Sequence, residues 1–137
     1  MNAAREHLKI KAAPRIRQLY CCDFRGDVLT PEMGKKRPVV ILSYRNTLHG
    51  VCLVLPVSTD PQDGQSAAWA HKLSLGADRG RTSWVVCNHL YTVSTRRLEP
   101  LADAVIPRLT EAEFDAILTV TRRWMPALPG DRRPPNS

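Results

Sequence analysis

The chain has 137 residues, 43% of them hydrophobic, with twenty Lys and Arg against thirteen Asp and Glu for a formal charge of +7. A chain of this size can bury one sizeable core and is expected to form one domain, and its basic balance points to an anionic partner, either nucleic acid or an acidic protein. No apolar run approaches the roughly eighteen residues of a membrane span, and the sequence opens on no charged-then-apolar leader, so a cytoplasmic protein without membrane contact is expected.

In chain order, residues 1–14 carry Arg5, Lys9 and Lys11 among alanines and are expected as a basic N-terminal arm. Ile16 to Phe24 is dense in apolar groups and predicts a strand. Gly26, Pro31 and Gly34 then break regular structure, and the loop over 25–36 delivers Lys35 and Lys36 beside Arg37. The run Pro38-Val39-Val40-Ile41-Leu42-Ser43 predicts a buried strand, and Pro38, which has no N–H to give a ladder, belongs at its start. Arg37 is therefore expected at a strand mouth. The plain structural reading is a cation guarding an edge.

A turn over 46–50 leads to the second buried run, Val51 to Val57, which ends in Ser58 and Thr59. These hydroxyls are either turn formers ahead of Pro61 or neighbours of Arg37 across the hairpin. Further strands are expected over 69–75, 83–87 and 91–98, with Asn88-His89 closing the second of them and Arg96 and Arg97 on a solvated face. Residues 76–81 form a glycine-punctuated turn that lacks the Lys-Ser/Thr ending of a phosphate-cradling loop. Thr110-Glu111-Ala112-Glu113 has the form of a capping box. Phe114, Ile117, Leu118 and Trp124 follow at helical spacing as a core stripe, and Pro126 ends the helix. The tail, 127–137, is rich in Pro and Arg and is expected to be disordered.

The four cysteines, Cys21, Cys22, Cys52 and Cys87, form no CxxC pair, and neighbours on a strand point to opposite faces. They read as core thiols, and no metal site is expected. His49 and His71 have no partner visible in the sequence, and a lone histidine such as His89 at a strand end is commonly a surface residue. Short strands followed by one packed helix predict a mainly β fold with a C-terminal helix, an antiparallel barrel or half-barrel over 15–126.

An apolar strand ending in Asp23-Phe24, the run Arg37-Pro38-Val39-Val40-Ile41-Leu42-Ser43, a hairpin, Pro56-Val57-Ser58-Thr59 and a terminal helix together resemble the MazF/PemK family of toxin endoribonucleases. The resemblance covers roughly 16–125. Arg25-Gly26-Asp27-Val28 also looks like the family's opening strand, but it lies too close to Arg37 to leave room for the loop. The family's Arg-Pro matches Arg37-Pro38, and its Pro-x-Thr-Thr matches Pro56-Val57-Ser58-Thr59 with serine for the first threonine. Asn88 stands where many relatives place an aspartate. The resemblance implies an SH3-like barrel and a type II toxin that cleaves single-stranded RNA without a metal or other cofactor. It further implies a homodimer and a cognate acidic antitoxin as partner.

On this reading Arg37 and Ser58 are catalytic. The arginine's fork of donors and the serine hydroxyl stabilise the charge that builds on phosphorus as the RNA's own 2′-hydroxyl attacks. Lys35, Lys36, Thr59, Asn88 and His89 are expected to bind substrate, and the imidazole is the group able to titrate near neutral pH. Two other classes remain open: a non-catalytic inhibitor of the same fold that binds a protein such as gyrase, and a basic RNA-binding module. Against the latter, aromatics make up only 6% of the chain and mostly sit in apolar runs, a poor stacking platform for single strands.

Overall fold

The computed structural model describes residues 7–26, 34–74, 80–101, 105–127 and 129. Among these residues seven strands follow in order: β1 (Leu19–Asp23), β2 (Lys36–Ile41), β3 (Val51–Ser58), β4 (Ala70–Lys72), β5 (Trp84–Val86), β6 (Tyr91–Ser94) and β7 (Leu98–Glu99). One helix, α1 (Glu111–Arg122), comes last. The strands make one antiparallel sheet in the order β4-β5-β3-β2-β1-β7, with β6 also on β3. The chain passes from β6 to β7 through a 3-10 turn at Thr95–Arg97, and no ladder joins the two. The expected mainly β fold with a C-terminal helix is thus present as a sheet that strand pairing leaves open.

Side-chain alternation along the strands sorts the apolar residues onto two faces. Tyr20, Cys22, Val39, Ile41, Cys52 and Val54 pack into one cluster, joined by Ile10 from the N-terminal segment. Leu19, Val40, Leu55, Val57, Val85 and Cys87 form the other, which α1 covers with Phe114 and Ile117. Burying each of these two helix side chains contributes about 1.5–3 kcal/mol. Cys22, Cys52 and Cys87 lie within this packing, whereas Cys21 is half-buried outside both clusters, so the expectation of four core thiols holds for three. Burial is the chief cause that raises their pKa values, to about 12 for Cys22 and about 11 for Cys21, Cys52 and Cys87.

Several expectations need correction. The strand expected over 69–75 is a 3-10 turn at Gln65–Trp69 followed by the three residues of β4, and Leu75 lies outside the described residues. The strand expected over 91–98 is broken by the 3-10 turn, whose N-cap Ser94 accepts from Arg96 N at 3.2 Å. Arg97 is not on a solvated face: its Nη1 donates to the Asp23 carbonyl at 2.7 Å and ties β1 to that turn. Trp124 is about half exposed and meets Trp69 edge to face at 5.5 Å instead of entering the core. His71 has a partner, Glu113, at 3.0 Å. Most of the loop before Lys35, most of the turn over 76–81 and nearly all of the tail fall outside the described residues.

Candidate active site

Two prolines decide where this sheet opens. Ile41 directs both its N–H, to the Gln18 carbonyl, and its C=O, from Arg17 N, toward the β1 side, each at 2.9 Å. Backbone polar groups alternate edges along a strand, so Pro38 faces β3, where it has no N–H to donate. The β2–β3 ladder accordingly runs Ile41–Val54, Val40–Leu55, Val39–Pro56 and ends there. Extended two residues past the end of the ladder, the same register sets Arg37 opposite Ser58 at the end of β3, which is the basis for grouping the two.

The other edge of β3 repeats the device. Leu53 turns its N–H toward Ser43 Oγ at 2.9 Å and its carbonyl toward Leu42 N at 2.8 Å, both on the β2 side. By the same alternation Pro56 faces the opposite edge. There β6 pairs with Val51–Val54 and β5 with Val57 and Ser58. Between these ladders the chain bulges out of the sheet in a turn over residues 87–90, opposite Leu55 and Pro56, where the proline has no N–H to offer. The bulge is held by His89 N to the Val86 carbonyl at 3.2 Å and by Cys87 N to the Trp69 carbonyl at 2.8 Å. It carries Asn88 and His89.

The side chains at these openings share one property. Among the described residues, the buried side-chain polar atoms without a hydrogen-bond partner are Arg37 Nε, Asn88 Oδ1 and His89 Nδ1. Folded proteins leave very few such atoms, because each costs about 1–3 kcal/mol, and here they concentrate on three of the residues singled out from the sequence. Burial first, and then the positive field of Arg37, lowers the pKa of His89. Ser58 is 5% exposed. Its Oγ accepts from Asp60 N at 3.1 Å, so the turn-forming role is real, and its hydroxyl proton remains available to a ligand. Thr59 follows, half-buried.

The two lysines separate. Lys35 is exposed beside the strand mouth. Lys36 alternates to the other face from Arg37 and donates to Glu99 Oε1 at 3.1 Å, while Lys9 approaches Glu99 Oε2 at 3.5 Å. Burial raises the Glu99 pKa, but the two ammonium groups outweigh it and the carboxyl is lowered. Lys36 thus has a fixed carboxylate partner outside the cluster. Asp23 is likewise committed, accepting from Arg25 N, Nε and Nη2, each at 2.9 Å.

Trp84 was not singled out from the sequence as a site residue. It pairs with Ser58 across the β3–β5 ladder, so the two side chains share a face, and it is half-buried. The signal was the polar hydroxyl at the end of β3, but the register that sets a tryptophan beside it depends on the bulge. Among the described residues no three His, Cys, Asp or Glu gather to hold a metal ion. The cluster's chemistry is a guanidinium, a hydroxyl, an amide and an imidazole in a sheet opening, a set that matches anionic oxygens together with a hydroxyl or amine donor.

The family model described as PemK-like, MazF-like toxin of type II toxin-antitoxin system matches residues 16–125. Among solved structures, an endoribonuclease in complex with its cognate antitoxin from a mycobacterial species is similar at 19% identity, covering 89% of this chain and 100% of that one, with a TM-score of 0.59. MazF from Deinococcus radiodurans is similar at 20% identity over 82% of this chain and 96% of that one, TM-score 0.58. A MazE–MazF structure from the same organism gives 18% identity over 81% and 94%, TM-score 0.52. Comparison with curated proteins gives no match.

Proposed function

From the premise that the chain belongs to the PemK-like, MazF-like toxin family of type II toxin-antitoxin systems, we propose that it is an endoribonuclease that cuts single-stranded RNA, in the first place mRNA, at the sheet opening around Arg37 and Ser58. The observation that carries this reading is the set of unpaired buried atoms on Arg37, Asn88 and His89. A ribose-phosphate backbone supplies what they lack, since its phosphate oxygens accept from the guanidinium and its 2′-hydroxyl donates to the amide or imidazole.

In the reaction the 2′-oxygen attacks phosphorus and the P–O5′ bond breaks, which leaves a cyclic phosphate and a 5′-hydroxyl. Negative charge grows on the phosphorane oxygens, and Arg37 and Ser58 stabilise it without rearranging. No metal is needed in this scheme. Lys35 and Thr59 steer the strand, and Trp84 offers one base a flat surface beside Ser58. DNA lacks the nucleophile and is spared. The similarity to an endoribonuclease solved with its cognate antitoxin supports an antitoxin as partner, the +7 charge of this chain favours an acidic one, and the short edge strands β4 and β7 suit a dimer of two copies.

The test is cleavage of a single-stranded RNA by the purified protein in excess EDTA. Arg37→Ala is expected to lose on the order of a hundredfold or more, the scale of one preorganised donor, and Arg37→Lys is not expected to recover it because a point charge lacks the fork. Ser58→Ala loses less and Ser58→Thr is tolerated. Full cleavage by a folded Arg37→Ala protein overturns the assignment.

A further inference from the structure

Charge stabilisation by Arg37 and Ser58 leaves one proton without a carrier. As the 2′-oxygen attacks, its hydrogen must go to a base, and a guanidinium offers donors only and no acceptor. Carboxylates do not fill the role where their partners are known: Asp23 is clamped on Arg25, Glu99 on Lys36 and Lys9, and Glu113 on His71 and Ser74. Asp60 is exposed, two residues beyond Ser58. His89 differs from all of these. It rides on the bulge between β5 and β6, its backbone is fixed by its bond to Val86, and its Nδ1 is buried without a partner.

Resting on the ribonuclease reading, we propose that His89 is the general base that takes the 2′-hydroxyl proton. The 2′-O–P bond forms as that proton moves to the imidazole, the P–O5′ bond breaks, the departing 5′-oxygen takes a proton from water, and His89 releases its own to solvent. Arg37 is the charged group, among the described residues, whose field reaches the ring. That field and burial act in the same direction and keep the imidazole neutral near pH 7, the form a base requires. Arg37 thereby has two effects: it holds the phosphate and it keeps its neighbour unprotonated. Asn88, one residue before, accepts from the same ribose or from a base amine and steadies the substrate.

The experiment is single-turnover cleavage of a short RNA by the full chain, followed from acid to neutral pH. Wild type is expected to show an acid limb centred below the ordinary histidine value of about 6.5. His89→Ala is expected to lose roughly 10²–10⁴-fold at neutral pH, to lose that limb, and to regain rate with added imidazole. Asp60→Asn is expected to keep both rate and limb. Should His89→Ala fail to fold, His89→Gln, closer in volume and unable to titrate, carries the same comparison. A folded His89 variant that retains the wild-type rate and acid limb overturns the proposal while leaving the ribonuclease reading in place. A wild-type protein that does not cut RNA at any pH overturns both.

Discussion

Replacing Glu113 by Gln or Ala tests how the helix is fastened to the sheet. Thr110 caps α1 as the sequence suggests, its Oγ1 accepting from Glu113 N at 3.2 Å. The Glu113 carboxylate makes its bonds elsewhere: it accepts from Ser74 N at 3.1 Å, from Ser74 Oγ at 2.9 and 2.8 Å, and approaches His71 Nε2 at 3.0 Å. It therefore ties the first turn of α1 to β4 and the residues after it. Bonds to a charged group contribute about 1.5–3 kcal/mol each where water is excluded. Ser74 is exposed and water replaces the carboxylate there, so the loss on Glu113→Ala is set at about 1–2 kcal/mol in total. For a domain of this size that is roughly 3–6 °C in melting temperature. The pH dependence is the sharper readout. Burial pushes the carboxyl pKa up, but the hydrogen bonds from His71 and Ser74 outweigh it and the folded value is lowered. A lowered folded value means stability present above the unfolded carboxylate pKa of about 4.3 and lost as pH falls through the folded one. Thermal melts from neutral to acid pH should therefore show wild type losing part of its advantage over Glu113→Gln below that point. Parallel acid slopes for the two proteins refute the reasoning.

Two further outcomes concern assembly. Light scattering of the purified chain is expected to give twice the monomer mass, and a strict monomer at micromolar concentration counts against the isologous dimer. An acidic antitoxin segment laid across the sheet opening is expected to bind more weakly as salt rises, and an affinity indifferent to salt places the contact elsewhere.

The sequence made the strands around the site legible because their apolar runs are long and bounded by Pro, Gly or hydroxyl residues. The elements it obscured are short ones whose form depends on distant partners. Trp69 to Leu75 reads as one strand by composition, yet the chain enters it from a 3-10 turn, and Cys87 N bonds to the Trp69 carbonyl from across the bulge. Tyr91 to Leu98 reads as one strand, yet Thr95 is drawn out of line by the 48–50 turn: its Oγ1 donates to the Leu48 carbonyl at 2.8 Å and its N–H to the Gly50 carbonyl at 2.9 Å. Glu113 reads as half of a capping box because the spacing is right, and only the fold brings Ser74 and His71 close enough to compete for its carboxylate. Lys36 looks like one of three equivalent cations, but pleating sends it to the face opposite Arg37, where Glu99 waits.

Pro38 and Pro56 show how the same residues serve fold and site. Each was visible in the sequence, Pro38 as a strand start and Pro56 as part of a resemblance, but neither revealed that the two face opposite edges of β3's neighbourhood. A strand bonded along both edges has its backbone groups occupied. Where Pro38 fails to donate to β3 and Pro56 fails to donate to the β5–β6 side, the ladders stop at neighbouring points, and side chains take the place of backbone partners. Arg37, Ser58, Asn88 and His89 lie around those two interruptions. The unpaired atoms there are a consequence of this backbone arrangement, and the rigid strands on either side hold them in place, which is what preorganisation requires.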